Sequence, residues 1–139
     1  MRKLVLALAL IFTILSCSKS DENSFNNPTE NGSGDFHPPV WIQGTWGGDD
    51  VAGGQIRLFR FTANDFISIN PSGEQSNQGL INQTRSTGST VSVVETISAT
   101  KYKVAMNFPG GKSLIYEFTK IDDKTIKWDR VQTVELKRM

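Results

Sequence analysis

From Val40 onward the sequence alternates apolar and polar residues with period two, and this constrains the fold more than any other feature. A strand turns successive side chains to opposite faces, so alternation gives one buried face and one wetted face. Lys101–Phe108 sets Tyr102, Val104, Met106 and Phe108 on one face, with Lys101, Lys103 and Asn107 on the other. Ser113–Ile121 aligns Leu114, Tyr116 and Phe118, Thr125–Val131 aligns Ile126 with Trp128, and Thr133–Arg138 aligns Val134 with Leu136. The segments are rich in aromatic and β-branched residues, which favour a pleated, half-buried surface. Further strands are predicted at Gln55–Phe61, Phe66–Asn70 and Thr90–Ile97, with a first one around Trp46 and a weaker one within Gln78–Thr84. The connectors carry turn chemistry: Pro109-Gly110-Gly111, Asp122-Asp123-Lys124, Thr62–Asp65 and Asn70–Gly73. No segment of this region has convincing helical periodicity.

About eight strands in sequence joined by short turns form an up-and-down antiparallel meander. Such a meander closes naturally into a barrel, which removes exposed edges. A two-sheet β-sandwich is the alternative. Ser76–Ser89 is long and polar, and is predicted as an irregular strand around Leu80-Ile81 or a loop over a barrel mouth.

The N-terminus has a different character. Met1-Arg2-Lys3 is a short positive stretch, and Leu4–Leu15 is apolar except for Thr13. That run suits a secretion signal and is too short to span a bilayer, which takes roughly 20 apolar residues. The chain has one cysteine, Cys17, directly after it. Ile14-Leu15-Ser16-Cys17 resembles a lipobox, the site cut by bacterial lipoprotein signal peptidase. The resemblance implies cleavage after residue 16, diacylglyceryl transfer to the Cys17 sulfur and a lipid anchor in the outer membrane. Ser18-Lys19-Ser20-Asp21-Glu22 resembles, with Ser20 interposed, the lysine-plus-acidic tag of surface lipoproteins in Bacteroidetes-type bacteria. The periplasmic face and the cell surface both remain open. Residues 18–39 are rich in Ser, Asn, Gly, Pro and acidic residues, with Phe25 and Phe36 as the only large apolar side chains. This composition predicts a flexible tether of order 25 Å reach. His37, the only histidine, is read as a solvated tether residue. The expected organisation is a signal peptide over 1–16, lipidated Cys17 and tether over 17–39, and one β domain over 40–139.

The domain's opening adds a second resemblance. Trp41-Ile42-Gln43-Gly44-Thr45-Trp46 carries the Gly-x-Trp motif of lipocalin-like (calycin) domains, and it is similar to small lipocalin-like lipoproteins of the Bacteroidetes type. Val134-Glu135-Leu136-Lys137-Arg138 fits the apolar-x-basic ending of their last strand. The resemblance implies that the Trp46 indole meets a basic residue and closes one barrel end. Arg138 is the expected partner, because first and last strands of a closed meander are neighbours; Arg130 is its rival.

Composition narrows the function. The chain holds 15 basic and 14 acidic residues, and without Arg2 and Lys3 the balance is 13 to 14, so no nucleic-acid partner is expected. With Cys17 taken by lipid and His37 outside the domain, nucleophilic catalysis lacks a base, and no enzyme activity is expected. Zinc would need Cys or His clusters, and Asp49-Asp50 and Asp122-Asp123 lack the ligand spacing of a calcium loop. No cofactor or metal is expected. Glu95 shares phase with Val91, Val93 and Ile97, and Arg60 with Ile56 and Leu58. They would either point inward as polar anchors for a ligand or, in the reading we favour, face water or pair with each other. The ligand-binding candidates are therefore Glu95, Arg60, Tyr102, Tyr116 and Trp128. Two functions follow, nearly level: binding of a small hydrophobic ligand inside the barrel, or, because large interior side chains can fill a small barrel, a non-enzymatic accessory role toward envelope proteins.

Overall fold

The computed structural model describes residues 34–129 and 134–139. The expected signal peptide over 1–16, Cys17, Phe25 and Arg130 lie outside the described residues. Nine strands and one helix follow in order: β1 (Gly44–Asp49), β2 (Gln55–Phe61), β3 (Phe66–Asn70), β4 (Gly73–Ser76), α1 (Asn77–Ser86), β5 (Ser92–Ile97), β6 (Lys101–Phe108), β7 (Lys112–Lys120), β8 (Thr125–Trp128) and β9 (Val134–Arg138). All strand pairs are antiparallel and belong to one sheet, ordered β4-β3-β2-β1-β9-β8-β7-β6-β5. Every neighbour in that order is also a sequence neighbour, except β1 and β9. The fold is an all-β meander with barrel-like curvature, in a single sheet rather than the two of a sandwich.

Two details depart from expectation. The weak strand within Gln78–Thr84, alternatively a loop, is the helix α1. Its face is mostly polar; only Asn77 and Ile81 are buried. Its start is set by capping rather than by apolar periodicity. The Ser76 hydroxyl accepts from Gly79 N at 2.8 Å, and Asp65, from the β2–β3 turn, accepts from Gln78 N at 2.9 Å and from the Ser76 hydroxyl. These bonds satisfy donors that a helix start leaves open. The second departure follows from the first. With a helix between β4 and β5, those strands do not pair, and the curled sheet keeps two edges.

The register defines the two ends of the curl. Gly44, the Phe61↔Phe66 pair, the β5–β6 turn, Thr125 and Arg138 lie at one end. Asp49, Asn70↔Gly73, Ser92, Phe108↔Lys112 and Trp128↔Val134 lie at the other. The core between them is aromatic. Phe59 sits 5.2 Å from Phe118 and 4.9 Å from Trp128 between ring centroids, both edge to face. Phe61 meets Phe118 at 5.1 Å and Tyr102 at 6.1 Å. Such T-shaped contacts set the positive ring edge against the negative face.

The packed chain also starts earlier than Val40. Phe36, read as part of the tether, is fully buried and meets Phe66 edge-on at 5.3 Å. Asp35 accepts both guanidinium arms of Arg85 at 2.7 and 2.8 Å and a bond from the Gln78 amide at 2.8 Å. One buried phenyl ring and a bidentate ion pair outweigh the ordering cost that the composition suggested.

Candidate functional site

Three groupings of side chains stand out: a closed end, an interior latch and an open end.

At the closed end, Trp46 and Arg138 are register partners on β1 and β9. The Arg138 guanidinium carbon lies 4.3 Å from the Trp46 ring centroid, within cation–π range. Its Nε donates to Asp123 O at 3.0 Å, Nη2 to Trp41 O at 2.8 Å and Nη1 to Gln43 O. Trp46 Nε1 donates to Ile42 O at 2.6 Å. One planar cation thus ties together the entry to β1, the β7–β8 turn and the last strand. Gly44 makes room for it: its φ is +125°, and a Cβ there would stand 2.6 Å from Arg138 Nη1. That accounts physically for the glycine of the Gly-x-Trp motif.

The latch lies between β5, β6 and the N-terminal segment. Glu95 points inward with 11 % of its side chain exposed. It accepts the Tyr102 hydroxyl at 2.6 Å, His37 N at 2.9 and 3.0 Å, and contacts His37 Nδ1 at 3.0 Å. Burial pushes the Tyr102 hydroxyl well above the usual tyrosine range, and the adjacent Glu95 carboxylate pushes it further. His37 is therefore a docking residue rather than a free tether residue, although 46 % of its side chain stays exposed. Glu95 has the inward orientation of an anchor, but its acceptor sites are filled by the protein itself.

Arg60 does not join it. It sits between the buried Phe59 and Phe61 and points the other way, where it pairs with Glu74 across the outer face. The alternative of a mutual Glu95–Arg60 pair does not form, because strands β2 and β5 lie on opposite halves of the sheet.

At the open end, Tyr116 and Trp128 stack at 6.5 Å, both half-buried, and Phe108, Leu114 and Val134 lie toward the rim. Among the described residues, the buried Trp128 Nε1 has no hydrogen-bond partner. A buried donor without an acceptor costs about 1–3 kcal/mol. Of the five ligand candidates, only Tyr116 and Trp128 face this end. Tyr102 and Glu95 satisfy each other, and Arg60 is outside.

Among the described residues, a hollow of about 20 Å³ lies beside Gly47, Gln55, Lys137 and Met139, with room for about one water. No cluster of three His, Cys, Asp or Glu side chains occurs among the described residues. Asp122 instead accepts from Lys124 N at 2.7 Å, and Asp123 pairs with Lys120 at 2.7 Å. No helix among the described residues is long and apolar enough to cross a membrane. No protein-family model, curated protein or solved structure matches this chain.

Proposed function

We propose that this chain is an outer-membrane lipoprotein, anchored through lipid on Cys17, whose lipocalin-like domain acts as a non-enzymatic accessory that meets envelope proteins with its outer surface. The observation that carries this reading is the filled interior. Phe59, Phe61, Phe66, Tyr102 and Phe118 interlock where a hydrophobic ligand would otherwise lie, and the inward Glu95 carboxylate is already bonded. The Gly44-x-Trp46 and Arg138 closure supports the lipocalin-like assignment, and the charged start, apolar run and Cys17 support the anchor.

One observation favours a second reading. Trp128 Nε1 at the open end, without a partner among the described residues, would be satisfied by a small apolar ligand that carries a hydrogen-bond acceptor. Native mass spectrometry of the detergent-extracted chain separates the two. The accessory reading expects the mass of the acylated protein with no stoichiometric small molecule. A bound species that disappears in Trp128→Phe would replace it with the ligand reading. In the same preparation Cys17→Ala is expected to leave the membrane fraction; retention after a salt wash would refute the anchor.

A further inference from the structure

We propose that the closed end of the domain rests on the surface of a phospholipid bilayer, with Val40, Ile97 and Ile121 entering the headgroup layer. This orientation rests on the reading of Cys17 as a lipid anchor.

Three loops are fastened together at the closed end. Trp41 Nε1 donates to Ser98 O at 3.0 Å, which joins the entry to β1 to the β5–β6 turn. Arg138 donates to Trp41 O at 2.8 Å and to Asp123 O at 3.0 Å, which adds the β7–β8 turn. Lys120 N donates to Thr100 O at 2.8 Å, so the two hairpin turns also meet. Each loop brings one exposed aliphatic side chain: Val40 is 82 % exposed, Ile121 50 % and Ile97 41 %. None of the three belongs to the aromatic core. Such side chains are unfavourable in water and favourable at the boundary between headgroups and acyl chains. The half-buried Trp41 among them is the residue type that sits at headgroup level.

Charge agrees with a lipid surface. The loop carboxylates at this end are engaged by the protein: Asp65 caps α1, Asp122 accepts Lys124 N at 2.7 Å, and Asp123 pairs with Lys120 at 2.7 Å. Lys124 has no carboxylate partner among the described residues and is placed to meet lipid phosphate. The β1–β2 turn at the opposite end carries Asp49 and Asp50, neither paired among the described residues, and an anionic surface repels both.

The path of the chain selects the bilayer as the occupant. A Cβ on Gly34 would stand 2.9 Å from Asn64 O in the β2–β3 turn, so the polypeptide enters the domain at the closed end. Cys17 lies seventeen residues upstream. A polar chain of that length has an r.m.s. span of about 20–25 Å. The nine-residue β7 gives the sheet a height of about 30 Å. The closed end is therefore the end that the anchor holds near the membrane. A short tether raises the local concentration of its end to about the millimolar range, so weak interfacial contacts suffice.

The test uses the full acylated chain in vesicles of phosphatidylethanolamine and phosphatidylglycerol. A polarity-sensitive fluorophore is placed on one added cysteine, the Cys17 sulfur being blocked by lipid. Ala99→Cys puts the label in the β5–β6 turn, and Val51→Cys puts it in the β1–β2 turn; both positions are exposed. The label at position 99 is expected to shift to the blue on reconstitution and to be quenched by headgroup spin-labelled lipid. The label at position 51 is expected to behave as in water. Val40→Asp together with Ile121→Asp is expected to abolish the shift at position 99 with unchanged circular dichroism, because both side chains are exposed. Equal signals at the two positions in a chain that floats with the vesicles would overturn the proposal alone. So would a shift that survives the double substitution. A chain that does not float with the vesicles would overturn the anchor reading, and the docking with it.

Discussion

The Tyr102 hydroxyl is held between burial and a carboxylate, and both keep its proton on. In the unfolded chain a tyrosine ionises near pH 10. Its folded value is raised, so above about pH 10 the unfolded state loses this proton first, and unfolding is favoured. The stabilisation is complete below that pH and is lost as pH rises from there through the folded value. Tyr102→Phe should lose about 1–3 kcal/mol at pH 7, because Glu95 loses a donor inside the core. Above pH 10 its stability should fall less steeply than that of the wild type. Urea midpoints at pH 7 and 10.5 check this, and parallel slopes would contradict it. Alternation put Glu95 in phase with Val91, Val93 and Ile97, but the favoured reading turned it to water or to Arg60; the structure turns it inward, to Tyr102 and His37. His37 is 58 positions away in a segment whose composition reads as solvated, and no periodicity links the two. Trp46 and Arg138 were easier to join, because a motif marks the first and strand adjacency in a closed meander marks the second. Arg60 was ambiguous for the opposite reason. Period two gives two faces, and only the burial of Phe59 and Phe61 tells which one is wet.

Among the elements, the strands were readable because each buries one face, and α1 was not because it hardly buries any. Asn77 and Ile81 alone carry its inner side. Its start and stop chemistry was nevertheless present: Ser76 as N-cap, Arg85 in the last turn and Gly88 at φ +80° beyond it. A short polar helix of this kind leans on its caps. Ser76→Ala removes the acceptor for Gly79 N and the donor to Asp65 at once, and should cost about 1–2 kcal/mol. Chemical denaturation measures this, and Ser76→Asp separates the roles. It retains the cap acceptor but sets a second carboxylate beside Asp65, so it should recover less than all of the loss. β4 escaped notice because Gly73–Ser76 is short and polar on both faces, with no burial to impose alternation.

On the scale of the whole molecule, curvature was legible and the seam was not. Alternating strands with short turns imply a curled meander, whereas the interruption between β4 and β5 depends on a helix without an apolar stripe. The N-terminal boundary is set by Phe36. A chain starting at Val40 loses that ring from the core, together with the Asp35–Arg85 pair and the His37–Glu95 bond. It should be less stable than a chain starting at Gly34 by about 3–5 kcal/mol, the range for deleting a buried phenylalanine. Equal urea midpoints for the two would restore the boundary at Val40. The sheet itself consists of two runs of hairpins, β1 to β4 and β5 to β9, and the runs are joined where Trp46 meets Arg138 and Gly47 meets Lys137. Each hairpin closes a short loop and can form early. The junction must close a loop of about ninety residues, whose entropy grows with the logarithm of its length. Joining the two runs should therefore limit the rate of folding, with the hairpins forming first and the indole and guanidinium meeting last.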